Sequence, residues 1–163
     1  MPTLVTRIVL AGTEGEVSPA RRAVVDQVRV WGVPLDDETA DTIRLVASEL
    51  ITNGVVHGEG PVTVVLYHRP GSLVIEVHDG NPGAPTSRCA QAEDESGRGV
   101  ALVDFLAVRS GWEPVGRGKR VWAQLAIPKP APAIRAAVLR RFFAIRPTPD
   151  AGTVPEPLAL AVT

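Results

Sequence analysis

The sequence SELITNGVVHG, residues 48–58, decides the fold of this chain. It closes a long helix that is predicted from about residue 37 to residue 57. Because each residue turns a helix by about 100°, Glu49, Asn53 and His57 form one stripe at i, i+4 and i+8 spacing. The stripe lies within or beside the apolar arc of the helix, where polar side chains cost free energy unless they have partners. The spacing therefore fits a satisfied polar network, a surface stripe or a ligand-binding face.

Hydrophobic periodicity and turn residues place this helix in a series of elements. The predicted strands are 3–11, 62–68, 73–78, 108–112 and 120–127, and the predicted helices are 19–31, 37–57 and 100–107. A turn over residues 116–119 separates the last two strands. Strands that are adjacent in sequence, with helices in runs, predict an α+β sandwich with a mixed, mostly antiparallel sheet. Trp31, Trp112 and Trp122 are expected in its core.

Composition and charge exclude several classes of protein. The chain has 163 residues, of which 45% are hydrophobic, so its length fits one domain and wholesale disorder is excluded. The net charge of −1 predicts neither a nucleic acid nor a membrane as a partner. One cysteine excludes an intrachain disulfide. Because we find no spanning helix and no signal peptide, we expect a cytoplasmic protein.

The segment Asp79-Gly80-Asn81-Pro82-Gly83 follows a predicted strand. An acidic residue at a strand end, followed by glycines, lets a ligand approach the backbone while the carboxylate accepts a hydrogen bond from it. Asp-Gly and Asn-Pro-Gly are also strong turn sequences, so on its own this segment favours an ordinary turn over a ligand site.

A second glycine-containing segment, Ser96-Gly97-Arg98-Gly99, precedes the third predicted helix and ends a long loop over residues 79–99. Glycine-flanked amides at a helix N-terminus suit a phosphate group. The segment is neither a Walker loop nor a dinucleotide fingerprint, because neither spacing occurs in the chain. A helix cap with a flexible lead-in is the alternative.

The order of these features resembles the GHKL (Bergerat) ATP-binding family over roughly Val5 to Ile127. Residues 48–58 resemble its N-box, residues 79–83 its first glycine box, and residues 97–103 its second. Residues 118–123 resemble the closing strand of the compact branch that includes bacterial anti-sigma factors with serine kinase activity. The resemblance implies a two-layer α/β sandwich with helices on one face, and it implies ATP and Mg²⁺ as ligands.

The resemblance also implies roles for the residues of the long helix and the first glycine box. Asn53 would offer its amide oxygen to the Mg²⁺ ion that bridges the phosphates. Glu49 would orient or deprotonate a hydroxyl or water, and His57 would support the base of the pocket. Asp79 would accept the adenine amino proton, and Gly83 would let adenine approach the backbone.

For the second glycine box, the resemblance implies that the phosphates are held by Gly97, Arg98, Gly99 and Val100, beneath a lid over residues 84–96. Two positions depart from the family pattern. Asn81 replaces the middle glycine of the first glycine box. Arg120 takes the position where this branch has a threonine near adenine, so a bulky cation is expected in the adenine site.

Three functions fit the resemblance. The first is an anti-sigma factor that binds a sigma factor, phosphorylates a serine or threonine of an anti-anti-sigma (STAS-type) partner and forms a homodimer. The second is a non-catalytic protein-binding module, with or without a bound nucleotide. A fragment of a sensor histidine kinase is disfavoured, because no helix with a phosphoacceptor histidine precedes the domain. We expect the ATP-binding domain over residues 1–128 and an extension over 129–163, with a short helix at 131–145 before a disordered Pro-rich tail.

Overall fold

The computed structural model describes residues 3–85 and 98–129, and its elements follow the predicted order. The strands are β1 (Leu4–Leu10), β2 (Val62–Arg69), β3 (Ser72–Asp79), β4 (Arg109–Val115) and β5 (Gly118–Ala126), and the helices are α1 (Val17–Val30), α2 (Asp37–His57) and α3 (Arg98–Leu106). A short 3-10 turn at Glu14–Glu16 precedes α1. One boundary matters for the site: β5 begins at Gly118, so Lys119 belongs to a strand and not to the predicted turn.

The five described strands form one sheet in the order β1-β2-β3-β5-β4. All four pairings are antiparallel, so the sheet is antiparallel over its described strands and the predicted α+β class is confirmed. α1 packs against α2, which lies on β2, β3 and β5, while α3 contacts α2, β4 and β5. α2 and α3 therefore lie side by side on one face of the sheet.

α2 comes close to the sheet at Gly54. A side chain at this position would place its Cβ 2.9 Å from Val77 Cγ1 and 3.3 Å from Val62 Cγ1, which is tighter than normal packing. The N-terminus of α2 is capped by Asp36, whose carboxylate accepts a hydrogen bond from Thr39 N at 2.7 Å. The cap fixes where α2 begins, and the contact at Gly54 fixes its rotation, which determines where the polar stripe points.

The core between the helices and the sheet is aliphatic. Its fully buried members include Val24, Val28, Ile43, Val46, Ile51, Leu66, Leu73 and Ile75. The structure corrects the expectation for two of the tryptophans, because Trp122 is only partly buried and Trp112 is 44% exposed, whereas Trp31 packs against the core. Trp112 lies on the edge strand β4.

His68 on β2 is a buried imidazole. Only 4% of the residue is exposed, and its ring stacks on Trp31 with centroids 5.5 Å apart. Among the described residues its Nε2 atom has no hydrogen-bond partner. Burial lowers the pKa of His68 from 6.5, because it penalises the charged imidazolium.

We expect the folded state to lose stability as the pH falls below about 6.5, the ordinary histidine pKa. In that window the unfolded chain binds a proton at His68 and the folded chain does not, so the free energy of unfolding rises with pH. The slope from one proton is at most about 1.4 kcal/mol per pH unit. Denaturant unfolding of the parent protein and His68→Phe between pH 5 and 8 tests this. Identical pH dependence in both would contradict it, and His78→Gln is the partly exposed control.

No helix in the described ranges is long and apolar enough to cross a membrane. Several predictions fall outside the described residues. They concern Gly97, residues 86–96 of the expected lid, and the expected helix and tail beyond residue 130. The division of the chain at residue 128 also stays a prediction.

Candidate functional site

A cavity of about 310 Å³ opens between α2, α3 and the strands β4 and β5. One wall is polar and comes from α2, and the other is formed by the first turns of α3 and by the sheet. The cavity brings together five of the predicted site residues: Glu49, Asn53, His57, Gly99 and Val100. Its described lining carries the carboxylates of Glu49 and Asp104 and neither lysine nor arginine.

Asn53 presents an unused oxygen ligand at the cavity. Its Oδ1 atom is buried and has no hydrogen-bond partner among the described residues. An orphaned buried acceptor costs free energy unless a donor or a cation satisfies it. Amide oxygens are ordinary ligands of Mg²⁺, which binds through one or two protein groups together with substrate phosphates. The described residues contain no cluster of three metal-binding side chains.

Glu49 lies one helical turn before Asn53 and reaches the start of α3. Its carboxylate packs against Gly99 so closely that a side chain at position 99 would collide with Oε2. A helix N-terminus stabilises negative charge, which is consistent with a carboxylate in this position. Because Gly99 has no side chain, the Glu49 carboxylate can pack against the start of α3. The next residue, Val100, also lines the cavity.

His57 lies at the rim of the cavity, where it is exposed. Its backbone carbonyl accepts a hydrogen bond from Asn81 Nδ2 at 2.8 Å. Asn81 Oδ1 in turn accepts one from Gly83 N, also at 2.8 Å. The Asn81 side chain thus links the first glycine box to the end of α2. The family pattern has a glycine at this position, which could not make these hydrogen bonds.

Asp79 stands apart from the cavity. Its Oδ1 atom accepts hydrogen bonds from Lys119 Nζ at 3.0 Å and from Asn81 N at 2.8 Å. Its Oδ2 atom is buried and has no partner within the described residues. The described lining of the cavity includes neither Asp79 nor Lys119. The structure thus places the predicted adenine acceptor in an intramolecular ion pair.

Arg120 is not part of this group, and the structure corrects the expectation that it stands near adenine. Its side chain contacts Glu76 Oε1 at 3.2 Å and forms a second ion pair with Glu113. Successive residues of a strand point to opposite faces, so Arg120 faces away from α2 whereas Lys119 faces towards it. The cation beside Asp79 is therefore Lys119.

The aromatic wall of the cavity is a feature that the sequence analysis missed. Trp112 on β4 lines the cavity opposite α2, together with Val103 of α3 and Val121 of β5. In antiparallel register Trp112 pairs with Val121, which places both side chains on the face that carries the helices. The alternation of side chains between the two faces of β4 and β5 could have placed Trp112 on the face that carries the helices.

The site combines a polar stripe on α2, a glycine-rich turn after β3, and the helix α3, whose first turn faces the stripe. The family model of the histidine kinase-like ATPase domain matches residues 10–125. The chain belongs to this family. No curated protein matches the chain. Membership of the histidine kinase-like ATPase family supports an ATP-binding regulatory function.

The parts of the site that would hold the phosphates and the base of ATP differ in how well they suit the nucleotide. At the phosphate end, the unpartnered Asn53 oxygen suits the Mg²⁺ ion that accompanies the nucleotide. The first turn of α3, which begins at Arg98, faces the same space. At the base end, Asp79 Oδ1 accepts a hydrogen bond from the Lys119 ammonium, Oδ2 has no partner among the described residues, and the described cavity lining does not include Asp79. A base that bound Asp79 would therefore share this carboxylate with Lys119 or displace it.

Proposed function

We propose that this chain is an ATP-dependent anti-sigma factor that transfers the γ-phosphoryl group of ATP to a serine or threonine of a STAS-type anti-anti-sigma partner. Family membership supports the ATP-binding regulatory part of this proposal. The observation that carries the rest is the pair formed by Glu49 and Asn53. Both line one cavity from adjacent turns of α2, and the Asn53 oxygen has no partner among the residues described.

The reaction assigns a distinct task to each of these two residues. The hydroxyl oxygen of the partner forms a bond to the γ-phosphorus, and the bond from that phosphorus to the β–γ bridging oxygen breaks. The bridging oxygen leaves with the electron pair as part of ADP, and the hydroxyl proton passes to the Glu49 carboxylate. Asn53 would hold the Mg²⁺ ion, which would supply positive charge against the phosphates.

The test uses the full chain, Mg²⁺, γ-labelled ATP and purified STAS-type partners. We expect label on a serine or threonine of a partner, identified by mass spectrometry. In the same proposal the chain binds a sigma factor and acts as a homodimer. Label on a histidine, or ATP hydrolysis without transfer to any partner, would contradict the kinase function.

Asn53→Ala is expected to weaken Mg²⁺-dependent ATP binding by about five- to a hundredfold, the usual effect of removing one partner of a buried polar contact. Asn53→Asp keeps an oxygen at the same place and should lose less. Calorimetric titration with Mg²⁺ and with a chelator measures both. Equal affinities of Asn53→Ala and the parent protein would show that Asn53 is not a ligand of the ion.

A non-catalytic protein-binding module is the second candidate function. The buried contact between Lys119 and Asp79 favours it, because the ammonium occupies one oxygen of the carboxylate to which a base would bind. A sigma factor that binds equally well with and without ATP, combined with no phosphoryl transfer, would support this alternative over the kinase.

A further inference from the structure

Lys119 and Asp79 form a buried ion pair because strand pairing places them opposite each other. Their charged atoms lie 3.0 Å apart, and the two side chains are 1% and 0% exposed. The two residues are direct neighbours in the antiparallel register of β3 and β5. Residues opposite each other in an antiparallel pair project to the same face, so both side chains point under the end of α2.

The backbone around the pair leaves little room for anything else. A side chain at Gly58, just after α2, would lie 2.6 Å from Asp79 Cβ. A side chain at Gly118 would collide with the Asp79 carbonyl oxygen. The Lys119 ammonium also lies 3.3 Å from the carbonyl oxygen of Asn81, to which it donates a hydrogen bond. The ammonium thus fills the space between the glycine box and β5.

We infer that Lys119 is an intramolecular competitor for the nucleotide base at Asp79. A carboxylate binds a base by accepting hydrogen bonds from its amino group, as it now accepts one from the ammonium. Lys119 occupies Oδ1 of this buried carboxylate, and Oδ2 has no partner among the described residues, so a base that approaches Asp79 competes with the ammonium for the same group. The inference rests on the proposed function in one respect, that a nucleotide enters this cavity.

The competition makes Lys119 a residue that determines nucleotide affinity without touching the phosphates. The free energy of the ion pair opposes binding, so the parent protein holds ATP weakly. A small uncharged side chain at position 119 removes both the competing charge and the bulk of the stem. The Asp79 carboxylate then no longer pairs with an ammonium group and can accept a hydrogen bond from the base.

Lys119→Thr is therefore expected to bind ATP about ten- to a hundredfold more tightly than the parent protein in calorimetric titrations with Mg²⁺. The matched control is Arg120→Thr, which removes the neighbouring cation from the other face of the sheet and should leave the affinity within twofold. Adding Asp79→Asn to Lys119→Thr should abolish the gain. Circular dichroism establishes that each variant is folded.

A second measurement uses the parent protein and needs no variant to fold. The chain contains two lysines, of which Lys119 is buried and Lys129 is exposed. Acylation of amines, followed by mass spectrometry, should modify Lys129 readily and Lys119 slowly. Near-saturating Mg²⁺-ATP should raise the rate at Lys119 several-fold and leave Lys129 unchanged.

Several results would overturn the inference. They are an unchanged or weaker ATP affinity of folded Lys119→Thr, an absence of binding by it, and a Lys119 that stays protected in the ATP complex. A parent protein that prefers GTP to ATP and loses that preference in Lys119→Thr would show that the ion pair recognises a base. Tighter ATP binding by Lys119→Thr without phosphoryl transfer would leave the inference standing and contradict the kinase function.

Discussion

Glu49→Gln is expected to slow phosphoryl transfer to the partner by about 10²–10⁴-fold, the usual contribution of a general base. Glutamine has the shape of glutamate and can still pack on Gly99 at the start of α3, but it cannot take up the hydroxyl proton. ATP affinity should change much less than the transfer rate. Single-turnover measurements at saturating ATP and partner, beside binding titrations, separate the two effects.

Asp104 gives the sharpest control for this prediction, because it is the other carboxylate of the described cavity lining. It already accepts a hydrogen bond from the Ser110 hydroxyl. Asp104→Asn should therefore transfer phosphate at a rate close to that of the parent protein. A large loss in Asp104→Asn combined with normal transfer by Glu49→Gln would assign the base to Asp104.

The fold was predictable because its elements have strong local signals. α2 combines an acidic start capped by Asp36 with an apolar arc and a glycine stop, and the structure confirms its bounds at Asp37–His57. The hairpin of β2 and β3 follows from alternating apolar runs around Pro70-Gly71. The predicted boundaries fail mainly in the closing strands, where glycines at 116 and 118 suggest a longer turn than the structure has.

The candidate site was predictable where residues act from one helix, and not where they act across the sheet. Spacing alone placed Glu49, Asn53 and His57 on one stripe, and the structure brings all three to one cavity. The assignment of position 119 to a turn hid the alternation that turns Lys119 inwards and Arg120 outwards. A side-chain contact between distant strands depends on register, which a local pattern does not supply.

Lys119→Met is expected to lower the free energy of unfolding by about 3–5 kcal/mol, because it leaves the buried Asp79 carboxylate without its counter-charge. Methionine keeps the length of the lysine stem, so the loss measures charge rather than a cavity. Arg120→Met is the matched control. Its ion pairs are partly exposed, and it should cost at most about 1 kcal/mol. Denaturant unfolding of both variants at pH 7 gives the comparison.

The double variant Asp79→Asn/Lys119→Met tests whether the cost comes from the unpaired charge. A neutral amide beside a thioether leaves no buried charge, so the double variant should be more stable than Lys119→Met alone. Lys119→Thr should also lose less stability than Lys119→Met, because the shorter side chain lets water reach the carboxylate. If Lys119→Met is as stable as the parent protein, the ion pair contributes no net stability, and an ammonium held that weakly could not keep a base from Asp79.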